Sequence, residues 1–175
     1  MSPPVPVSGT GPHSNILMHM KFAHLVEIND PLNPLIDALS RAQLWRGLVL
    51  RAEEPTLFVY GLDSCRILEK TAESLSRELS FGKLVIRDRV HLFPAHQVRY
   101  ETDPQPMMAA ANLTMTIEEP DRDRLYIRFE YEDGHTEGDA TSETFYEEFR
   151  HSAYVEADID TVKVIRQLAA DGKLG

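Results

Sequence analysis

The stretch LSRELSFGKLVIRDRV, residues 75–90, sets two short apolar runs on either side of a turn, and each run carries one charge on its apolar face. Alternate residues of an extended chain share a face, so Arg77 lies with Leu75, Leu79 and Phe81, and Asp88 lies with Leu84, Ile86 and Val90. A two-residue type II′ turn at Gly82 and Lys83 would pair Phe81 with Leu84, Leu79 with Ile86, Arg77 with Asp88 and Leu75 with Val90. Apolar then meets apolar, and the only two charges on the face meet each other, as cross-strand pairing favours. A guanidinium kept in place by a bidentate contact to a carboxylate inside an apolar wall, as Asp88 or Glu69 would keep Arg77, can hold a carboxylate or enolate oxygen of a ligand.

The same pairing rule extends to the neighbouring strands. A turn over residues 72–74 sets Ile67 opposite Leu79 and Glu69 opposite Arg77, and on the other side Val90 faces Val98 and Asp88 faces Tyr100. The expected inner surface carries Glu69, Arg77, Asp88 and Tyr100 in one row. In one reading these groups only satisfy one another beneath a helix. In the other they orient an apolar ligand, because ligand pockets combine apolar walls with a few convergent polar groups. The walls would come from a later hairpin pairing Leu113 with Phe129, Met115 with Ile127 and Ile117 with Leu125, with Tyr131 continuing the inner side and Phe149 added by a helix.

Other chemistries lack their parts. The sequence holds no G-x-S-x-G elbow, P-loop, G-x-G-x-x-G fingerprint or H-E-x-x-H helix, so neither a cofactor nor a catalytic residue is assigned. His91 and His96 flank one turn but do not complete a zinc site, and the acidic run at 130–148 lacks EF-hand spacing, so no metal is expected. Cys65, the single cysteine, falls on the inner face with Ile67, excludes an intrachain disulfide and fits a reducing, cytoplasmic setting. A formal charge of −10 opposes nucleic acid and anionic membrane surfaces. No apolar run reaches the ~18–20 residues that span a bilayer.

The elements that position these residues can also be read. The chain's 175 residues suit a single domain, with residues 1–20, rich in Pro, Gly and Ser, as a flexible leader and residues 21–175 as the folded unit. Met18 and Met20 offer alternative starts to Met1. Strand pattern begins at 21–28, and two short helices are expected next, one capped by Asn33 before Pro34 and one by Ser40 with Gln43 as a capping box. Strands at 64–71, 75–81, 84–92, 97–102, 108–118 and 124–132 bring the count to seven. A helix over 141–171 closes the chain, its apolar side including Phe145, Phe149, Val155, Ile159, Val162, Ile165 and Ala169. This order is α+β, a curved antiparallel sheet of seven strands wrapped around a long C-terminal helix.

The segments MKFAHLVEINDPLNP, LSRAQLWRGLVLRAEEP and LSFGKLVIRDRV resemble the AtaL-like family, called after the acetylaranotin biosynthesis cluster protein L. That family looks like a branch of the START-like, or SRPBCC, superfamily that includes the birch-pollen allergens. The resemblance covers about residues 20–174 and implies a helix-grip fold with an internal cavity. It brings no catalytic motif. The expected function is therefore binding of a small hydrophobic or amphipathic molecule between sheet and helix. An enzyme of the polyketide cyclase or dehydratase kind would use the same cavity, with Asp88 or Glu69 as base and Tyr100 or Arg77 stabilising an oxyanion. A protein-interaction module, self-association included, is a third class.

Overall fold

The computed structural model describes residues 19–106, 109–134 and 140–175. Most of the expected leader, Met108 of the sixth expected strand and the side chain of Phe145 lie outside the described residues. Strand β1 (His19–Asn29) turns Phe22, His24, Val26 and Ile28 to one side and Lys21, Ala23, Leu25 and Glu27 to the other. Helix α1 (Arg41–Glu53) starts at the expected capping box: Ser40 Oγ accepts from the Gln43 amide at 3.0 Å, and Gln43 Oε1 accepts from the Ser40 amide at 2.9 Å. One 3₁₀ turn, Pro55–Leu57, follows.

The helix expected from Asn33 is absent, and residues 31–36 are turns instead. Asn33 and Asp30 spend their side chains on the amides of Leu35 and Leu32, at 3.1 and 2.9 Å, which makes local turns where a helix would need N-caps. Asn29 then clamps the far end, donating to the Leu39 carbonyl at 2.7 Å and accepting from the Leu39 amide at 2.9 Å.

The remaining strands are β2 (Ser64–Lys70), β3 (Ser74–Phe81), β4 (Leu84–Phe93), β5 (Gln97–Thr102), β6 (Ala111–Glu118) and β7 (Leu125–Gly134). They form one antiparallel sheet in the order β1-β7-β6-β5-β4-β3-β2. Between β3 and β4 the register is the expected one, with Arg77 opposite Asp88 and Gly82 at φ 59° in the turn. Three other registers differ. Between β4 and β5, Val90 faces Tyr100 and Asp88 faces Thr102. Between β6 and β7, Leu113 faces Tyr131 and Met115 faces Phe129. Both are slips of two residues, which leave every side chain on its expected face. At β2 the hairpin closes on the two residues Ala72 and Glu73, with the Thr71 amide donating to the Ser74 carbonyl at 2.8 Å, and a bulge follows at Leu68. Cys65 faces Leu79, Ile67 faces Arg77 and Glu69 faces Ser76.

Helix α2 (Ala140–Ala170) lies across the inner face and ends at Gly172, φ 70°. Its C-terminal half packs against the sheet and α1 through Val162, Ile165 and Leu168. A Cβ added to Gly47 on α1 would lie 2.8 Å from Cγ1 and Cγ2 of Ile165, so the absent side chain sets how close the two helices come.

Candidate functional site

Burial along the inner face is uneven. Met115, Ile127 and Phe129 are wholly buried and Ile117 and Leu125 nearly so, whereas Leu113, Tyr131 and Phe22, which lie in one row with Tyr100, keep some exposure. The helix repeats the gradient, from sealed Val162, Ile165 and Leu168 to half-buried Val155, Tyr154 and His151. Burial is thus complete at one end of the sheet–helix interface and looser at the other, a partial opening where β5 ends and β6 begins that the Tyr131–Tyr154 and Phe22–His151 contacts bridge. The expected wall residues divide accordingly, Met115 and Phe129 in the sealed half and Leu113 and Tyr131 at the opening. Phe149 is 69% exposed. It stands nine residues from Asp158, about 180° around the helix at 3.6 residues per turn, so it points away from the sheet.

Of the expected polar row, Arg77 and Asp88 come together, buried to 3% and 6% exposure. Arg77 Nε and Nη2 donate to Asp88 Oδ1 and Oδ2 at 2.9 and 2.6 Å, and Nη1 donates to the Ala52 carbonyl at 2.8 Å. All three guanidinium nitrogens are occupied, and the adjacent carboxylate holds the proton on Arg77 against the opposing effect of burial. Glu69 is not in the row: the bulge turns it to the exposed face with Ser76. Half-buried Cys65 stays on the inner side, where burial raises its thiol pKa.

Tyr100 sits one row from Asp88, with the Arg77 guanidinium 5.1 Å from its ring centroid. A second guanidinium, Arg51 of α1, lies 5.0 Å from the same centroid. Arg51 Nε donates to Thr161 Oγ1 of α2 at 3.4 Å. Among the described residues no carboxylate lies within ion-pair distance of Arg51. Next along α2 is Asp158, 1% exposed, whose Oδ1 accepts from the Tyr131 hydroxyl. Burial raises the Asp158 carboxyl to about 7, with the Tyr131 hydrogen bond and the Arg51 charge opposing the rise. Tyr131 is itself raised by burial and by the Asp158 charge. It stacks on Tyr154 at 3.9 Å, and Phe22 stacks on His151 at 4.2 Å.

Five buried side-chain atoms among the described residues have no hydrogen-bond partner: Nε2 of His24 and His151, the Tyr100 hydroxyl, Oδ1 of Asp133 and Oδ2 of Asp158. By strand register and helix stripe all five belong between the sheet and α2, from His24 in the sealed row of Phe129 and Met115, through Tyr100 and Asp158, to Asp133 and His151. The contrast lies at the sealed end. There a groove of about 610 Å³ beside Leu35, Ile36 and Ala169 also meets a guanidinium, that of Arg166, which already donates to the Asp37 and Ile28 carbonyls.

Two residues of this constellation escaped the sequence reading. Asp158 belongs to the inward stripe His151, Tyr154, Val155, Asp158, Thr161, Val162 and Ile165, in which each residue has neighbours three or four positions away, with an acid in it. Following only apolar residues leads instead to Ile159, which is 39% exposed. Arg51 gave no comparable signal, since a basic residue in a last helical turn is ordinary.

A family model described as acetylaranotin biosynthesis cluster protein L matches residues 26–172. The chain belongs to that family. No curated protein sequence matches it. Among solved structures it is similar to an aromatase/cyclase from Streptomyces sp. R1128, with TM-score 0.58 and 12% identity over 84% of this chain and 91% of that one. It is also similar to the di-domain aromatase/cyclase StfQ of the steffimycin biosynthetic pathway, with TM-score 0.67 and 8% identity over 87% of this chain and 51% of that one, about half its length. Ara h 8.0201 gives TM-score 0.55 and 13% identity over 85% of this chain and 99% of that one. At such identities the likeness is one of fold: this AtaL-family chain is a helix-grip protein. No helix among its described residues is long and apolar enough to cross a membrane.

Proposed function

We propose that this protein binds a small hydrophobic or amphipathic molecule between the sheet and the N-terminal half of α2. One observation carries the reading, the five unpartnered buried polar atoms distributed along the interface between the sheet and α2. Leaving a buried donor or acceptor unpaired costs about 1–3 kcal/mol. An occupant that pairs with them lifts that burden, while Leu113, Tyr131, Tyr154 and Phe22 offer it apolar and aromatic surface. Native mass spectrometry of freshly purified protein, repeated after denaturation, tests the reading. A releasable small molecule, or an added amphipathic one, should bind the natural chain and be excluded by Leu113→Trp, which fills the opening. Equal binding by that variant would place the molecule elsewhere.

A second reading makes the same opening a reaction site. It is favoured by the Tyr131–Asp158 pair, since a carboxyl near pH 7 can both give and take a proton. Asp88 and Glu69 are poorly placed as bases, one closed on Arg77 and the other outside. Two of these similar structures are described as aromatase/cyclases, which agrees with proton transfer on a polyketide-like substrate. If so, a bound polyketide-like molecule should leave chemically altered from the natural protein and unaltered from Asp158→Asn. Identical products from both would remove Asp158 from the chemistry.

A further inference from the structure

Within the proposed binding reading, on which this step rests, the base of the opening has a definite polarity. Arg51 reaches inward from the last turn of α1, lies over the face of Tyr100 and touches Thr161, both of them buried. It differs from Arg77, whose nitrogens are all bonded, and from Arg128, which is paired with Glu118 at 2.7 Å. Its charge has no carboxylate partner among the described residues. Beside it the Tyr100 hydroxyl is a buried donor without an acceptor. A guanidinium without a carboxylate and a hydroxyl without an acceptor around one aromatic ring ask for an oxyanion.

We infer that Arg51 and Tyr100 hold the head group of the occupant, and that this head group is an oxyanion, a carboxylate or an enolate, on an aromatic body. The body follows from the walls: the rings of Phe22, Tyr131, Tyr154 and His151 cluster there, with the Tyr131–Tyr154 and Phe22–His151 faces spent on each other, and an aromatic body joins such a cluster edge-to-face. Asp158 is compatible with an anion nearby because burial holds its proton up to about pH 7. Anion binding should therefore weaken as pH rises past that point. The groups facing Asp158 are Tyr131 from β7, Arg51 from α1 and Thr161 and Tyr154 along α2, and Arg51, beyond ion-pair distance, is the cation among the described residues whose charge acts on it.

The test compares 2-naphthoate with its uncharged methyl ester by isothermal titration at about pH 6, using the full chain and the variants Arg51→Met, Arg51→Lys and Tyr100→Phe. A charge-assisted hydrogen bond predicts that the acid binds the natural protein roughly tenfold or more tighter than the ester. Arg51→Met should erase the preference with little change for the ester, Arg51→Lys should keep part of it, and Tyr100→Phe should reduce it several-fold. Matching thermal unfolding of each variant separates loss of binding from loss of fold. Equal binding of acid and ester by the natural chain, or an unchanged ratio in Arg51→Met, overturns the head-group assignment while the binding reading stands. Failure of both probes to bind overturns the two together.

Discussion

Replacing Asp158 by Asn should make the protein more stable as pH rises. Asp158 is 1% exposed, and burial moves its carboxyl from 3.8 to about 7. The charged form is the one the fold disfavours, so between those values the folded chain holds a proton that the unfolded chain has released. Stability then falls from about pH 4 to about pH 7 and is flat on either side. Roughly three units at 1.36 kcal/mol each give about 4 kcal/mol as an upper limit. Asn keeps an oxygen for the Tyr131 hydroxyl and never ionises, so it lacks this loss but carries a constant penalty for its buried amide. The natural chain should therefore lose stability relative to Asp158→Asn by up to about 4 kcal/mol across that window, or about 8–16 °C in melting temperature for a domain of this size. Urea unfolding of both proteins at half-unit steps from pH 4 to 8 measures it. A gap that stays constant with pH would refute a buried proton on Asp158.

Arg77→Met should cost about 3–5 kcal/mol because it strands Asp88 inside the core; Arg77→Met with Asp88→Leu should recover most of that, and a double variant no better than the single would show that Asp88 reaches water. Gly47→Ala should destabilise by about 1–3 kcal/mol despite the roughly 1 kcal/mol that Ala gains in a helix, since its Cβ meets Ile165 at 2.8 Å; a higher melting temperature would mean the helices are not so close. Asn29→Asp replaces the donor to the Leu39 carbonyl, 2.7 Å away, with an acceptor, and a loss of about 1–3 kcal/mol in urea unfolding at neutral pH is expected.

What the sequence revealed follows from what a period of two can encode. Alternation assigns residues to faces, so Arg77, Asp88, Tyr100, Leu113 and Tyr131 were all placed on the inner surface correctly. It says nothing about sliding by two, which is why Tyr100 was set against Asp88 when it faces Val90. A bulge defeats it altogether, because one extra residue reverses every face beyond it, as happened to Glu69. In α2 the difficulty was chemical. The buried stripe includes Asp158 and His151, while apolar Phe149 and Ile159 lie off it. Hydrophobicity and burial part company at the opening, so a rule that equates them fails there and succeeds at Ile165. The turns at 31–36 were missed because Asn and Asp serve equally as helix caps and as turn formers, and only the Asn29 clamp on Leu39 decides between them.

The two halves of α2 divide the work of stability and recognition. Val162, Ile165 and Leu168 pack against α1 and the sealed end of the sheet, and Gly47 lets that packing be close. Further back along the helix, among the described residues, His151 and Tyr154 meet the sheet through their stacks on Phe22 and Tyr131, and His151 and Asp158 carry two of the orphaned polar atoms. An occupant that pairs Arg51, Tyr100 and Asp158 adds its binding energy at that stretch of the helix. By linkage, a ligand at a hundred times its dissociation constant stabilises the folded state by about 2.7 kcal/mol. Hydrogen exchange should show that gain first in the α2 amides around residues 148–158, with those around Ile165 slowed only as global unfolding slows. Uniform protection along the helix would mean that α2 docks as a single unit and that the opening is a rigid feature of the fold.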